Sequence, residues 1–133
     1  MAKFSKKSKE ILSHADIRLQ QICNEVIKHY DLTVKCSVRG KEAQNHAYRM
    51  GFSKLKYPDS LHNHKPSLAI DVIPYPSGYI QDDDSIIIKL EKELEFYKLA
   101  TWMFSVANKY GIKVQFGGLW KNFKDLPHWQ LHI

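Results

Sequence analysis

A chain of 133 residues with 44% hydrophobic content can bury one core, and no composition shift or polar linker marks a second domain. The formal charge of +6 and isoelectric point near 9.3 suit an acidic partner (nucleic acid, anionic lipid or a bacterial envelope), although a modest lysine excess also serves solubility. The basic stretch from Lys3 to Lys9 leads into no continuous apolar run, so neither a signal peptide nor a membrane span is expected, and the protein should stay in the cytoplasm unless something lets it out.

Residues 8–30 place Ile11, Ala15, Ile22 and Val26, with Leu12, Leu19, Cys23 and Ile27 one step round, at helical spacing, which predicts one long amphipathic helix. Residues 32–38 alternate and predict a strand; residues 41–50 predict a short helix closed by Gly51. Residues 52–66 show no period and are rich in Ser, Lys, Asn, His and Pro, so a loop is expected. Residues 68–73 form an apolar run holding one charge, Asp71, which predicts a buried strand stopped by the Pro and Gly residues of 74–78. Ser85 is a candidate cap for a helix over 86–110, with Phe96, Ala100, Met103, Ala107 and Tyr110 as its buried stripe and Leu99 and Val106 alongside.

Gly111 ends that helix, and Ile112, Val114 and Phe116 alternate as a strand. Gly117 and Gly118 turn the chain, and Trp129, Leu131 and Ile133 alternate as a C-terminal strand. Helices and strands interleave without regular βαβ units, so the expected fold is α+β: a small, mostly antiparallel sheet with helices packed on one side, in a single domain over 1–133. Cys23 and Cys36 are expected to be buried thiols rather than a disulfide.

The chemistry concentrates in two short stretches, residues 60–71 and 125–131. Together they offer imidazoles and a carboxylate as ligands, with a second carboxylate, Asp125, three residues before His128. Three N/O ligands, an open position and a nearby base are what a hydrolytic zinc site needs. Asp71 is costly to bury alone in an apolar strand, so it requires a cation, whether a metal or a lysine or arginine, or several hydrogen-bond donors. His128 and His132, four residues apart on a strand, stand roughly 13 Å apart and should not share a metal. His62 and His64 lie in an extended His-x-His arrangement, and by chemistry alone either or both can be a ligand. His14, His29 and His46 fall on predicted helices with no partner motif.

The segment from Ser60 to Pro76, with Ser-x-His-Asn, Pro-Ser, Ala69, Asp71-Val72 and Pro-Tyr-Pro, resembles the first zinc motif of the M15 metallopeptidases in their phage endolysin-like branch. Phe116-Gly117-Gly118-Leu119-Trp120, followed by Lys124-Asp125-Leu126-Pro127-His128-Trp129-Gln130-Leu131, resembles the second motif. Arg39-Gly40, Gln44 and the Gly51–Lys54 segment resemble the family's upstream part, so the likeness runs from about Val34 to Leu131. That family comprises zinc-dependent carboxypeptidases and L-alanyl-D-glutamate endopeptidases of peptidoglycan stem peptides, with the small α+β fold shared by DD-peptidases and the Hedgehog signalling domain.

The resemblance implies Zn2+ held by His62, Asp71 and His128. Asp125 is then the catalytic base that deprotonates the attacking water and returns the proton to the leaving amine. Arg39 is implied as a partner for a substrate carboxylate or the developing oxyanion. Ser60, Gln44 and Trp120 are implied as residues that support the site or touch substrate. The commoner family spacing would select His64, whereas the Ser-x-His-Asn start and the Pro-Ser before Ala69 match the longer-spaced variant and select His62. Leu119 stands where the family often has aspartate.

The expected activity is that of an endolysin hydrolysing the L-Ala-D-Glu bond, acting as a monomer on the cell wall or periplasm once the host membrane is permeabilised, with no membrane insertion. A D-Ala-D-Ala carboxypeptidase of the same family is one alternative, and a non-catalytic, zinc-containing wall-binding domain is another. A nucleic-acid partner is not expected: charge alone supports it, the aromatics sit at core-like spacings, and no basic helix or RNA-binding signature appears.

Overall fold

The computed structural model describes residues 2–132. Its frame is an antiparallel sheet of four strands, β1 (Leu32–Cys36), β2 (Ala69–Pro74), β3 (Val114–Phe116) and β4 (His128–Leu131), in the order β1-β2-β4-β3. Four helices accompany it: α1 (Lys6–Ser13), α2 (Ile17–Val26), α3 (Lys41–Arg49) and α4 (Ile86–Lys109). The fold is α+β, as expected.

Alternation along the strands gives the sheet two unlike faces. Val34, Ile70, Val72, Phe116, Trp129 and Leu131 join a core with Leu19, Ile22 and Val26 of α2 and Leu99, Met103 and Val106 of α4. Trp129 is its largest member; it stacks on Phe116 at 4.5 Å between centroids and meets the edge of Phe104. Truncating a ring buried in this way costs roughly 3–5 kcal/mol. On the opposite face, the register aligns Cys36, Asp71 and His128 across β1, β2 and β4.

The stretch 8–30 is two helices, not one. Ala15 bridges to Ser67: Ser67 N–H donates to His14 O at 3.0 Å and Asp16 N–H donates to Ser67 O at 2.8 Å. The backbone leaves helical geometry there to pair with the segment before β2. Asp16 then caps α2, its carboxylate accepting from Arg18 N–H at 2.9 Å. The four-residue spacing of Ile11, Ala15 and Leu19 runs straight through the break, which hides it from periodicity.

β1 stops at Cys36, two residues short of the predicted end, because a bulge between Val34 and Cys36 shifts the register and Ser37 turns its hydroxyl to Ile11 O at 2.6 Å. Cys23 is buried as expected, but Cys36 is only partly buried, at the end of that strand; both thiols are free. Helix α4 begins on the Ser85 cap and is closed by Gly111 at φ 68°, but Tyr110 leaves the buried stripe: it is 38% exposed, and its hydroxyl reaches Glu25 at 3.2 Å. Trp129 and Leu131 face the core, and Ile133 lies outside the described residues. None of the described helices is long and apolar enough to cross a membrane.

Replacing Asp16 by Ala removes the cap that starts α2 and should lower stability by about 1 kcal/mol in chemical denaturation. An unchanged midpoint would show that the Ala15–Ser67 bridge alone sets the break.

Candidate metal centre

The β2–β4 register sets Asp71 directly opposite His128, so two side chains distant in sequence arrive side by side. The third comes from outside the sheet. Ser60 caps a short 3-10 turn, Leu61–Asn63, accepting His62 N–H on its hydroxyl at 3.2 Å, while Asn63 Oδ1 takes Ser60 N–H at 3.0 Å. This turn replaces the expected extended segment. It buries His62 and leaves His64 exposed, so only His62 faces Asp71.

Hydrogen bonding assigns the imidazole tautomers. His62 Nδ1 lies 2.7 Å from Ser37 O, a carbonyl that can only accept, so Nδ1 carries the hydrogen and Nε2 keeps its lone pair. His128 Nε2 lies 2.8 Å from Gln130 Oε1, again an acceptor, so here Nδ1 keeps the lone pair. His62 Nε2, His128 Nδ1 and Asp71 Oδ1 then form a triangle with sides of 3.3, 3.4 and 3.5 Å. Asp71 Oδ1 is buried with no hydrogen-bond partner, while Asp71 Oδ2 is 3.4 Å from Arg39 Nη2. Arginine therefore meets one oxygen of this carboxylate, and the other faces the two imidazoles.

Three converging lone pairs repel unless a cation sits among them. A tetrahedral ion bonded at about 2.0–2.1 Å holds neighbouring donor atoms about 3.3–3.4 Å apart, so the triangle fits zinc. Protons compete for the same place. Burial disfavours a charged His62, but Asp71 and Cys36 outweigh it and raise its pKa to about 10. Burial likewise opposes the Asp71 anion, yet His128 and His62 hold it well below the usual carboxylate range.

Asp125 lines the same cleft of about 940 Å3, with Arg39, Tyr79, Trp120 and Phe123. Its carboxyl is pushed above the ordinary value, first by burial and then by the Asp71 charge, against the pull of His128, His62 and Arg39. Loops 52–55, 79–82 and 120–123 wall the cleft. Trp120 leans on the His128 ring at 5.0 Å between centroids. Gln44 is fully buried and does not line the cleft: its amide accepts from Arg39 Nη1 at 3.1 Å and donates to Leu55 O at 2.7 Å, bracing Arg39 from α3. His132 is exposed and lies outside the triangle, and Leu119 is 67% exposed.

A close approach of two segments requires Gly117. It follows Phe116, which pairs with Trp129, and a Cβ here would strike Asp125 O and come within 3.0 Å of Asp125 Cβ and 3.1 Å of His128 Cβ. The sequence reading missed Cys36, whose Sγ is 3.8 Å from His62 Nδ1, and Tyr79, which sits in a loop without periodicity. Gln130 was legible in principle, two residues along an alternating strand from His128.

A family model described as phage L-alanyl-D-glutamate peptidase matches residues 1–130. The chain belongs to this family. Among solved structures, the crystal structure of the Serratia marcescens L-Ala D-Glu endopeptidase ChiX is similar at a TM-score of 0.76 and 24% identity, over 98% of this chain and 90% of that one. At that identity the likeness is one of fold. No curated protein matches the chain by sequence. Within the phage L-alanyl-D-glutamate peptidase family, this member joins His62, Asp71 and His128 in one triangle and places Asp125 in the cleft beside it.

Replacing Gly117 by Ala should wedge the 125–128 turn away from the triangle, weakening zinc binding in titration calorimetry and lowering stability by about 1–3 kcal/mol. Because a raised folded pKa stabilises the metal-free protein below the unfolded value of 6.5 and is lost toward about 10, metal-free stability should fall across that window. Apparent zinc affinity should rise there by about tenfold per pH unit while one proton is displaced. An affinity flat with pH would mean that no proton occupies the triangle.

Proposed function

We propose that residues 1–133 form a single zinc-dependent peptidase domain that hydrolyses the L-alanyl-D-glutamate bond of peptidoglycan stem peptides. The observation that carries this reading is the triangle of three converging ligand atoms, His62 Nε2, His128 Nδ1 and the buried Asp71 Oδ1, with Asp125 in the same cleft. Membership of the peptidase family supports the choice of bond.

His62 Nε2, His128 Nδ1 and Asp71 Oδ1 would hold the metal. When bound, zinc supplies Lewis acidity toward the scissile carbonyl and makes water easier to deprotonate. Asp125 takes the proton of the attacking water and hands it to the leaving amine; a carboxyl with raised proton affinity suits both transfers. Arg39, held by Gln44 and Asp71, presents its guanidinium at the cleft wall, where it meets a substrate carboxylate or the developing oxyanion. Burial and the charges of Asp71, Cys36 and Asp125 push the Tyr79 hydroxyl up to about 12, so it stays a neutral donor. Trp120 covers one side of His128 and limits water around it.

The positive charge concentrates the enzyme on an anionic wall, which a phage lysin meets after the membrane is breached. The direct test is hydrolysis of purified peptidoglycan with and without chelator, followed by mass analysis of the fragments. Zinc-restorable release of a new D-glutamate amine is the expected result. Release of D-alanine would move the assignment to a carboxypeptidase, and no cleavage by folded, zinc-loaded protein would leave a binding domain. Asp125→Asn should cut turnover by about 10²–10⁴-fold while zinc stays bound. Full activity in that variant would remove Asp125 from the mechanism.

A further inference from the structure

The two histidines of the triangle are supported differently. His62 leans on a backbone carbonyl, which cannot turn over. His128 leans on a side-chain amide, Gln130, whose two ends differ in hydrogen-bonding sense. If that amide were reversed, its NH2 would face His128 Nε2. The ring would then have to carry its hydrogen on Nδ1, the atom aimed at Asp71 and His62, and one of the three lone pairs would be lost.

Something must therefore hold the amide one way round, and the β3–β4 register supplies it. Gln115 is the cross-strand partner of Gln130, and Gln130 Nε2 donates to Gln115 Oε1 at 3.1 Å. Gln115 Nε2 in turn donates to His132 Nδ1 at 2.8 Å, just past the end of β4. An amide NH2 only donates, so His132 Nδ1 is the acceptor that ends the line. Read backwards, the bonds are mutually consistent: an accepting His132 Nδ1 leaves Gln115 Oε1 toward Gln130, whose NH2 it takes, and this leaves Gln130 Oε1 to hold the hydrogen of His128 on Nε2.

We propose that Gln115, anchored by His132, is a positioning residue that fixes the amide of Gln130 and thereby aims the Nδ1 lone pair of His128 at the metal. The proposal rests on reading the triangle as a metal centre and asks nothing about which bond is cut. Partners that orient a ligating histidine are typically worth ten- to a hundredfold in metal affinity, and about tenfold is the effect expected of this relay.

The experiment reads the His128 tautomer by long-range ¹H–¹⁵N NMR of metal-free protein at mildly alkaline pH, together with zinc affinity. The wild-type protein should show a single Nε2–H ring. Gln115→Leu, and independently His132→Phe at an exposed position, should give a mixture of tautomers and about tenfold weaker zinc binding. The decisive variant is Gln130→Glu. A carboxylate accepts at both oxygens, so it needs no orientation, and adding it to either single variant should restore the Nε2–H tautomer and the affinity.

Wild-type tautomer and affinity in both Gln115→Leu and His132→Phe would overturn the proposal, as would failure of Gln130→Glu to rescue them. Peptidoglycan cleavage is scored separately. Its absence in the wild-type protein would sink the peptidase reading and leave the relay intact, because the tautomer is read without substrate.

Discussion

Because β2 and β4 pair with Asp71 across from His128, an anion and an imidazole are pressed together on a sheet whose reverse side is the hydrophobic core. The stability of that core, with Ile70 and Trp129 on the same two strands, is what holds the two polar groups in contact. Neither could be accommodated there alone: a carboxylate oxygen without a donor costs several kcal/mol when buried. The sheet forces the problem, and the geometry leaves a place that a cation or a proton can fill.

The third corner of the triangle, His62, arrives by a different route, and a set of backbone bonds ties that route to the sheet. The Ser37 carbonyl, displaced past the β1 bulge, receives both His62 Nδ1 and the Ser67 hydroxyl, at 2.7 and 2.8 Å. Arg39 N–H bonds to His62 O at 2.7 Å, and Asn63 donates to Arg39 O. The bulge is thus more than a strand ending, since it supplies the carbonyl that decides which nitrogen of His62 is bare. Gln44 completes the frame by joining α3, Arg39, Asn63 and the 53–55 loop in one buried amide.

Much of this was legible in the residue order. A single charge inside the apolar run of β2 marked Asp71, and Asp125-Leu126-Pro127-His128 marked the other half of the site, because stiff turns with paired polar groups are rarely mere connections. Alternation found β1, β3 and β4, an apolar run found β2, a closing glycine marked α3, and a cap with a helical stripe marked α4. What escaped depends on pairing between distant segments. Ala15 breaks a helix only because Ser67 is beside it. The choice of His62 over His64 came from the Ser-x-His-Asn resemblance and not from hydrophobic spacing, which does not reveal the Ser60-capped turn that separates them. Cys36 borders the site only because a bulge sets its register, and the facing of Gln115 with Gln130 exists only once β3 meets β4.

The separation of the two sheet faces bears on how such a protein diversifies. Among the described residues, the loops at 52–55, 79–82 and 120–123 place no side chain in the hydrophobic cluster behind the sheet, and no residue of that cluster lines the cleft. Apart from Ser53 and the Leu55 carbonyl, which hold the buried Gln44 amide, substitutions in the walls can therefore accumulate with little loss of folding free energy. A lineage built on this frame can follow changes in host wall chemistry by exchanging loops alone, while the row through Asp71 and His128 stays as inherited.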